Sequence, residues 1–432
     1  MANRSTLQTE QAVAQAAAPG SRAWLARLSL SRFRCYHQAE VVTDGRPVVL
    51  TGPNGAGKTN LLEAISFLSP GRGVRRARLS EVDRHDRGAA HAHDAIDGSA
   101  INGAQSSPWA VAGTVMTPEG ARDVGTGRDA GVGGAGGTES EVSRERRVVK
   151  IDGAFARSQQ MLGEIVSMTW LTPQMDGLFR DSAGGRRRFL DRLVYGFDSA
   201  HAGRVAAYEQ SLRDRARLLK SGGADDGWLS ALEDTMARHG VAIAAARREL
   251  VDRLARACAV RVGAFPVAGL ALRGQVDEWL GDRPALRAEE TLRAELAATR
   301  RRDAQAGGSA IGPHRSDLLV RHLDRDMAAA DCSTGEQKAL LISIVLAHAR
   351  LIALHRGAAP LLLLDEVAAH LDELRREALY DEILALGAQA WLTGTDAGVF
   401  AGLGDAAQFL SVRDAAITQG AAPRPDRRSG VS

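Results

Sequence analysis

A chain of 432 residues with 44% hydrophobic content has enough apolar material for a large core, and its length predicts two or three domains. The 55 Lys and Arg against 52 Asp and Glu leave a net charge of only +3, so any basic surface must be local. Three widely separated cysteines, Cys35, Cys258 and Cys332, exclude a cysteine framework for disulfides or a metal and predict a reducing, cytoplasmic setting.

The first part of the chain consists of a predicted tail followed by predicted strands. Residues 1–22 are rich in Ala and Gln without a continuous apolar core, which predicts a disordered tail rather than a signal peptide. Within a first α/β segment, 23–175, both Trp24–Leu30 and Pro47–Thr51 have the composition of strands. A glycine-rich loop and a helical pattern follow the second strand. That order of elements suits a phosphate site.

A glycine-rich stretch interrupts this first segment. Residues 82–147 are loosely patterned, and their glycines are concentrated between Pro118 and Glu141. Such a density of glycine prevents a packed core. The stretch is therefore predicted to be a flexible surface insertion around one strand at Trp109–Val115.

The second half of the chain is helical first and mixed afterwards. In 176–304 apolar residues recur three and four positions apart, which predicts an all-helical arm. Residues 305–415 return to an α/β pattern, with a helix from Thr334 to His355 and strands at Leu361–Leu364 and Ala390–Gly394. The apolar run within that helix is too short for a membrane span, so no membrane partner is predicted. Residues 416–432 are predicted to be a second disordered tail.

The run from Gly52 to Thr59 matches the pattern G-x-x-x-x-G-K-[ST] between a strand and a helix. Its backbone N–H groups would cradle phosphates, Lys58 would neutralise the β- and γ-phosphates, and Thr59 would ligate Mg²⁺. The alternative is a glycine-rich turn with a chance lysine. The predicted ATP-binding residues are Gly52, Pro53, Asn54, Gly55, Ala56, Gly57, Lys58, Thr59, Asn60 and Gln174.

Gln174 follows a predicted strand, where it would link the Mg²⁺ site to the arm, although a polar loop residue is an equal alternative. Four leucines precede Asp365 and Glu366, as in a buried strand that delivers two acids at its C-terminal end. Asp365 would hold Mg²⁺, and Glu366 would orient or deprotonate the attacking water. Without a P-loop this pattern could equally be an ordinary strand end. The predicted catalytic residues are Lys58, Asp365 and Glu366.

Ser333, Gly335 and Glu336 open the long apolar helix. They predict a capping box, and in ABC-type ATPases such a motif also completes the nucleotide site of a second protomer. Asp372 stands where a D-loop residue would communicate across the dimer, and Thr395 takes the place of a switch residue near the γ-phosphate. The predicted fold class is therefore α/β: an ABC-type P-loop ATPase head, split in sequence by an inserted all-helical arm domain.

Five segments are similar to those of one family, namely Ser31–Tyr36, Gly52–Ala64, Gly184–Asp191, Ile311–Asp317 and the Ser333 motif. By these segments the chain resembles the RecF family of recombination mediators. The resemblance implies binding of double-stranded and gapped DNA, an ATP-bound homodimer, slow DNA-dependent ATP hydrolysis and a role in the SOS response. It also implies that RecO and RecR are partners in placing the recombinase RecA. The glycine-rich insertion and the spelling of the Ser333 motif depart from the family pattern.

Local clusters of arginine predict a DNA surface. Between Arg180 and Lys220 ten Lys and Arg face five acids, and four arginines lie within the seven residues from Arg72 to Arg78. Such patches attract phosphates without specifying bases, whereas the alternative is a solvated helix face with paired charges. The candidate DNA contacts are Arg75, Arg76, Arg186, Arg187 and Arg188.

Two other functions fit the same nucleotide motifs. A transporter-type ABC ATPase subunit would have a compact domain, and the arm and the basic segment argue against it. A DNA-bridging ATPase of the SMC or Rad type would need longer coiled-coil arms with sustained heptads. The segment 176–304 is too short for these and has no sustained heptads.

Overall fold

The computed structural model describes residues 22–84, 108–129, 146–222 and 225–423. It divides into two compact units, which are called unit 1 and unit 2 below. Unit 1 comprises Met1–Thr172, Arg356–His370 and Leu379–Ser432, and unit 2 comprises Pro173–His355 and Leu371–Ala378. The predicted tail 1–22, apart from Arg22, and the parts 85–107 and 130–145 of the predicted insertion lie outside the described residues.

Fifteen strands and ten α-helices are found in the described residues. The strands are β1 Trp24–Phe33, β2 Tyr36–Val42, β3 Val48–Thr51, β4 Ala110–Thr117, β5 Gly120–Asp129, β6 Arg146–Ile151, β7 Ala154–Phe155, β8 Met168–Leu171, β9 Ala268–Arg273, β10 Asp317–His322, β11 Met327–Ala328, β12 Leu361–Leu364, β13 Ala390–Gly394, β14 Gln408–Arg413 and β15 Ala416–Gln419. The helices are α1 Lys58–Ser66, α2 Leu162–Ile165, α3 Ala183–Tyr195, α4 His201–Ser221, α5 Asp226–Cys258, α6 Gln275–Asp282, α7 Ala285–Ala298, α8 Arg300–Ala306, α9 Thr334–Arg356 and α10 Glu373–Leu386.

Unit 1 contains a largely parallel sheet in the order β15-β14-β3-β13-β12-β8. All four leucines of β12 are buried, as expected of a parallel strand that is covered on both faces. Thr51 pairs with Gly394 at the ends of β3 and β13, and Leu364 pairs with Leu392 one strand further on. The parallel register therefore brings the residues after β3, β12 and β13 to one edge of the sheet, where such folds bind ligands.

The edge strand β15 lies within residues 416–432, which the sequence predicted to be a disordered tail. That prediction is wrong for Ala416–Gln419, because these residues pair antiparallel with β14. The two strands are joined through Asp414 and Ala415, which both have positive φ, as a two-residue hairpin turn requires. The turn escaped detection because it lacks the glycine that usually marks such a hairpin.

A second sheet in unit 1 is antiparallel, in the order β2-β1-β4-β5-β6-β7. The sequence predicted no packed core between Pro118 and Glu141, but β5 buries Val124 and Thr126, so this prediction is wrong for residues 120–129. A Cβ on Gly127 would lie 2.8 Å from the carbonyl oxygen of Trp109. A glycine at this position permits close backbone approach within the sheet.

Unit 2 has a helical core that includes Met236, Ile243 and Leu292. The segment predicted to be an all-helical arm is helical except for β9, which pairs with β10 in a three-stranded sheet of order β11-β10-β9. Helix α9 is long and apolar enough to cross a membrane, but most of it is buried inside the protein, which confirms the prediction of a buried helix. The predicted boundary at residue 304 differs from the structure, because α9 to His355 groups with the arm.

Candidate nucleotide site

The glycine-rich loop between β3 and α1 is held by a tyrosine from β2. The hydroxyl of Tyr36 donates a 3.0 Å hydrogen bond to the carbonyl of Gly57. Gly57 has a φ of 114°, and a Cβ there would lie 2.7 Å from the Tyr36 hydroxyl and 2.9 Å from Cys35 Sγ. Both the backbone angle and the crowding exclude a side chain. The loop is thus shaped for backbone N–H groups to face a ligand at the start of α1.

Lys58 begins α1 and reaches back across the loop. Its Nζ donates to the carbonyls of Gly52 at 2.6 Å and Pro53 at 2.9 Å. Burial lowers the pKa of Lys58, and the nearby charges of Glu366 and Asp365 oppose that shift by raising it. The lysine therefore supplies a cation at the mouth of the loop, in the position from which it can neutralise phosphates.

Asp365 receives two hydroxyl groups. Thr59 Oγ1 lies 3.0 Å from both carboxylate oxygens, and Thr393 Oγ1 donates to Oδ1 at 2.7 Å. Burial raises the pKa of Asp365, whereas the hydrogen bonds from Thr393 and Thr59 lower it. A buried carboxylate with two hydroxyl partners is held in one orientation.

Glu366 follows in a strained conformation. Its φ of 53° lies in the left-handed region, which costs free energy for a residue with a side chain and is often found at functional sites. The backbone N–H of Glu366 donates to Thr393 Oγ1 at 2.9 Å. One threonine hydroxyl therefore positions both acids, since it donates to Asp365 and accepts from Glu366.

A cavity of about 180 Å³ lies beside Asp365, and its lining includes Lys58, Thr59, Arg75 and Glu366. Arg75 Nη1 donates to Asn60 Oδ1 at 2.7 Å and to Glu63 Oε2 at 3.0 Å. Glu63 is fully buried in α1. Arg75, which the sequence suggested as a DNA contact, thus lies in the nucleotide cavity.

The donor set fits a nucleotide with a divalent cation. A hydroxyl and a carboxylate are the hard oxygen ligands that Mg²⁺ takes, and Thr59 and Asp365 lie side by side at 3.0 Å. A second carboxylate, Glu366, and the cation of Lys58 line the same cavity. Thr59 and Asp365 would hold the metal, leaving Glu366 for a water molecule.

The capping box predicted at the start of α9 in unit 2 is confirmed. Glu336 N–H donates to Ser333 Oγ at 3.4 Å, and the Glu336 carboxylate accepts from Ser333 N–H at 3.1 Å. The pKa of Glu336 is lowered, first by that backbone hydrogen bond. Ser333 and Gly335 are exposed, and a Cβ on Gly335 would meet nothing within 4 Å. The helix N-terminus is therefore accessible.

Three other predicted residues are exposed at their positions. Gln174 lies in a short 3-10 turn of unit 2. Asp372 accepts from the backbone N–H of Arg375 at 2.9 Å, near the start of α10. In unit 1, Thr395 has no hydrogen bond to another described residue. The roles of all three in nucleotide binding stay predictions.

The arginines suggested for DNA differ in their accessibility. Arg186 forms a two-bond ion pair with Asp317, at 2.7 and 2.9 Å. Arg187 donates to the carbonyl of Ser316 at 2.7 Å, and burial lowers its pKa. Arg76 and Arg188 are exposed. Only these last two therefore present their charge to solvent without such a partner among the described residues.

The sequence reasoning missed Thr393, Tyr36 and Glu63. A polar residue within the apolar run of β13 was the available signal for Thr393, because such a residue in a buried strand needs a partner. Glu63 gave a similar signal, because it is an acid within the apolar run of α1, and the structure buries it fully. Nothing in the local pattern indicated that Tyr36 would meet Gly57.

Comparison with known proteins finds a matching family model and relatives of high identity. Residues 24–415 match the family model described as the RecF/RecN/SMC N terminal domain. A DNA replication and repair protein RecF of Allorhizobium ampelinum is 48% identical over 397 residues, which cover 91% of this chain and 98% of the relative. The RecF of Agrobacterium fabrum is 47% identical over 396 residues, with 91% and 98% covered.

Solved structures agree in fold. The recombination mediator protein RecF of the RecFOR pathway, with ATPrS, has a TM-score of 0.74 at 19% identity and covers 93% of this chain and 99% of its own. The same mediator with ATP has a TM-score of 0.73 at 20% identity, with 93% and 98% covered. Since the family model spans most of the chain and relatives are nearly half identical along almost their whole length, the chain belongs to the RecF family of DNA replication and repair proteins, with an ABC-type ATPase fold.

Proposed function

We propose that this chain is an ATP-dependent DNA-binding protein of recombinational repair and replication, which binds ATP with Mg²⁺, dimerises on ATP and hydrolyses it slowly in a DNA-dependent manner. The observation that carries the proposal is the arrangement of Thr59, Asp365 and Glu366 around Thr393, beside Lys58. In the family to which the chain belongs, relatives named DNA replication and repair protein RecF and solved RecF structures with ATP support it.

The chemistry of hydrolysis follows from the two acids. Bound Mg²⁺ would neutralise phosphate charge, and Thr59 and Asp365 would hold it. Glu366 would accept a proton from the attacking water, because its carboxylate lines the cavity and its backbone is held by Thr393. Lys58 would stabilise the negative charge that develops on the leaving phosphate.

The small size of the cavity supports a composite site. Ligand sites usually measure about 300–1,000 Å³, whereas this one measures about 180 Å³ and so covers only part of a nucleotide. The exposed N-terminus of α9, with Ser333 and Gly335, is suited to bind the phosphates of a partner's nucleotide. Asp372 would communicate across that interface, Gln174 would link the metal site to the arm, and Thr395 would approach the γ-phosphate.

Finer parts of the proposal concern location and partners. The DNA would be double-stranded or gapped, and Arg76 and Arg188 are the exposed candidates among the arginines suggested for it. Together with RecR and RecO the protein would assist loading of RecA, in line with the RecFOR pathway of its structural relatives. Three free cysteines suit a cytoplasmic location.

The central test uses Glu366→Gln. This variant keeps the shape of the side chain but removes the base, so ATP stays uncleaved and the dimer accumulates. Size-exclusion chromatography with light scattering should find a dimer with ATP and Mg²⁺ and a monomer without nucleotide. A monomer under both conditions would refute the ATP-dependent dimer.

Two further variants show whether dimerisation depends on nucleotide binding and on the start of α9. Adding Lys58→Ala to Glu366→Gln should prevent nucleotide binding and restore the monomer. Adding Ser333→Arg should leave nucleotide binding intact and still restore the monomer, because the large side chain would block the exposed helix N-terminus. A dimer that survives Ser333→Arg would show that the interface lies elsewhere.

A further inference from the structure

A second cavity in unit 1 lies apart from the nucleotide site. It measures about 870 Å³ and lies beside β6 and the edge strand β7 of the antiparallel sheet. Five arginines line it, together with a single acid. Arg72 and Arg78 belong to the arginine cluster noted in the sequence, but none of the five is among the candidate DNA contacts named there. These charged residues are Arg72, Arg78, Arg146, Arg147, Arg157 and Asp129. They define what we call the arginine cleft.

Arg147 forms the inner wall of the arginine cleft. Its guanidinium donates to the carbonyls of Phe67, Ser69 and Gly71 and to the side chains of Thr126 and Gln159. Burial lowers the pKa of Arg147 to about 9. All these partners are neutral, so within the described residues the positive charge has no carboxylate to balance it. An anion in the cleft would supply that balance.

The other four arginines are exposed. Within the described part of the chain, Arg72, Arg78, Arg146 and Arg157 make no ion pair with an acid. Other arginines of the same sheet do pair with acids, as in the pairs Arg27 with Glu40 and Arg122 with Asp152. Unpaired arginines around a concave surface focus a positive field there.

An exposed aromatic ring completes the lining. Phe155, on the edge strand β7, is 70% exposed and lies in the wall of the arginine cleft. The Nζ of Lys150 lies 4.6 Å from the ring centroid. A ring that is open to solvent beside unpaired cations is the arrangement in which single-stranded nucleic acid binds, with its phosphates on the cations and a base stacked on the ring.

We propose that the arginine cleft binds a single strand of nucleic acid, with the phosphates on the arginines and one base stacked on Phe155. This site deepens the proposed function and rests on its claim that the protein binds DNA. It places a single-strand contact on the antiparallel sheet of unit 1, at residues that do not include Arg76 or Arg188. At gapped DNA, such a site would hold the strand exposed in the gap.

The test measures fluorescence anisotropy of a labelled oligothymidine with the full chain, ATP and Mg²⁺ at several salt concentrations. Arg146→Gln with Arg157→Gln should weaken binding roughly tenfold and reduce the slope of log affinity against log salt by about 1.4, since each single-strand phosphate contact contributes about 0.7. The matched control is Arg27→Gln with Arg122→Gln, which removes the same charge from the same sheet. It should bind like the wild type.

Phe155→Ala tests the stacked base. It should weaken oligothymidine binding roughly 5- to 100-fold but leave binding of an abasic strand of the same length unchanged. Phe155→Trp should retain affinity, because indole stacks as well. Because Phe155 is exposed, none of these variants removes core packing.

The outcomes separate this inference from the proposed function. If the wild type binds gapped DNA but the cleft variants match their control, the arginine cleft is refuted and DNA binding stands. If the cleft variants lose affinity for duplex and single-stranded DNA equally and Phe155→Ala does not change the affinity for oligothymidine, the single-strand assignment is refuted. If the wild type binds no DNA at all, both fail.

Discussion

Thr393 and Asp365 are joined by a hydrogen bond of 2.7 Å at the edge of the parallel sheet. The same Thr393 hydroxyl accepts the backbone N–H of Glu366. The acid expected to hold the metal and the acid expected to activate water are therefore oriented by one side chain, which lies on a neighbouring strand. Catalytic competence should depend on this threonine although it is not itself expected to touch the substrate.

Thr393→Val tests this dependence. The variant preserves shape but removes the hydroxyl, so both acids lose their common partner, and the rate of ATP hydrolysis should fall about 10- to 100-fold. The affinity for ATP should change little, because the phosphate loop is untouched. Steady-state hydrolysis and equilibrium binding of a fluorescent ATP analogue measure the two effects. The matched control is Thr418→Val, at an exposed position on β15 of the same sheet, and equal rates for the two variants would contradict the role of Thr393.

Gly57→Ala should abolish nucleotide binding. The new Cβ would clash with the Tyr36 hydroxyl at 2.7 Å, and the φ of 114° would add backbone strain. Gly153→Ala is the control, because its φ of 82° is also positive but a Cβ there meets nothing within 4 Å, so it should cost only about 1–2 kcal/mol of folding stability and leave ATP binding unchanged. Binding of a fluorescent ATP analogue measures the change in nucleotide affinity, and thermal unfolding measures the change in folding stability. ATP affinity retained by Gly57→Ala would contradict the packing argument.

Arg215 should be a large contributor to the stability of unit 2. It is buried and pairs with Glu233 and Asp303, both at 2.9 Å and both buried. Arg215→Met leaves Asp303 without a cation and Glu233 with Arg300 alone, which should cost about 3–5 kcal/mol. The control Arg217→Met removes an arginine that is 77% exposed and should change stability by less than about 0.5 kcal/mol. Urea unfolding of the two variants measures their difference in stability, and equal unfolding midpoints would contradict the role of Arg215.

Acid should destabilise unit 2 through His314. The ring accepts from the Tyr208 hydroxyl at Nδ1 and lies 2.9 Å from the Ser309 carbonyl at Nε2. Burial lowers the pKa of His314 to about 4. A lowered histidine pKa favours the neutral ring in the folded state. The stability that this preference contributes is therefore complete above the unfolded pKa of about 6.5 and is lost as pH falls through about 4.

The corresponding measurement is the free energy of unfolding at two pH values. Between about pH 7 and about pH 5 the wild type should lose about 2 kcal/mol more than His314→Gln, which cannot take up the proton. His37→Gln, at an exposed position on β2, is the control and should follow the wild type. The same pH dependence in His314→Gln and the wild type would contradict the assignment.

The predictions that succeeded from sequence rest on local patterns. The strand, glycine loop and helix around Lys58 follow from residues adjacent in the chain, as do the four leucines of β12 and the capping box of Ser333 and Glu336. The flexible insertion failed at β5, because glycine density was taken as the absence of packing. At Gly127 the lack of a side chain is what permits the strand to pack.

The sequence by itself determined the family resemblance, the glycine-rich loop between strand and helix, the acids after β12 and the capped start of α9, because each is encoded within a few consecutive residues. Only the tertiary structure decided that Thr393 positions those acids, that Arg75 lines the same cavity as Lys58 and that Arg146 and Arg157 share a cleft with Phe155. The reason is distance along the chain. Thr59 and Asp365 are 306 positions apart, and their meeting depends on strand order and register, which no local pattern specifies.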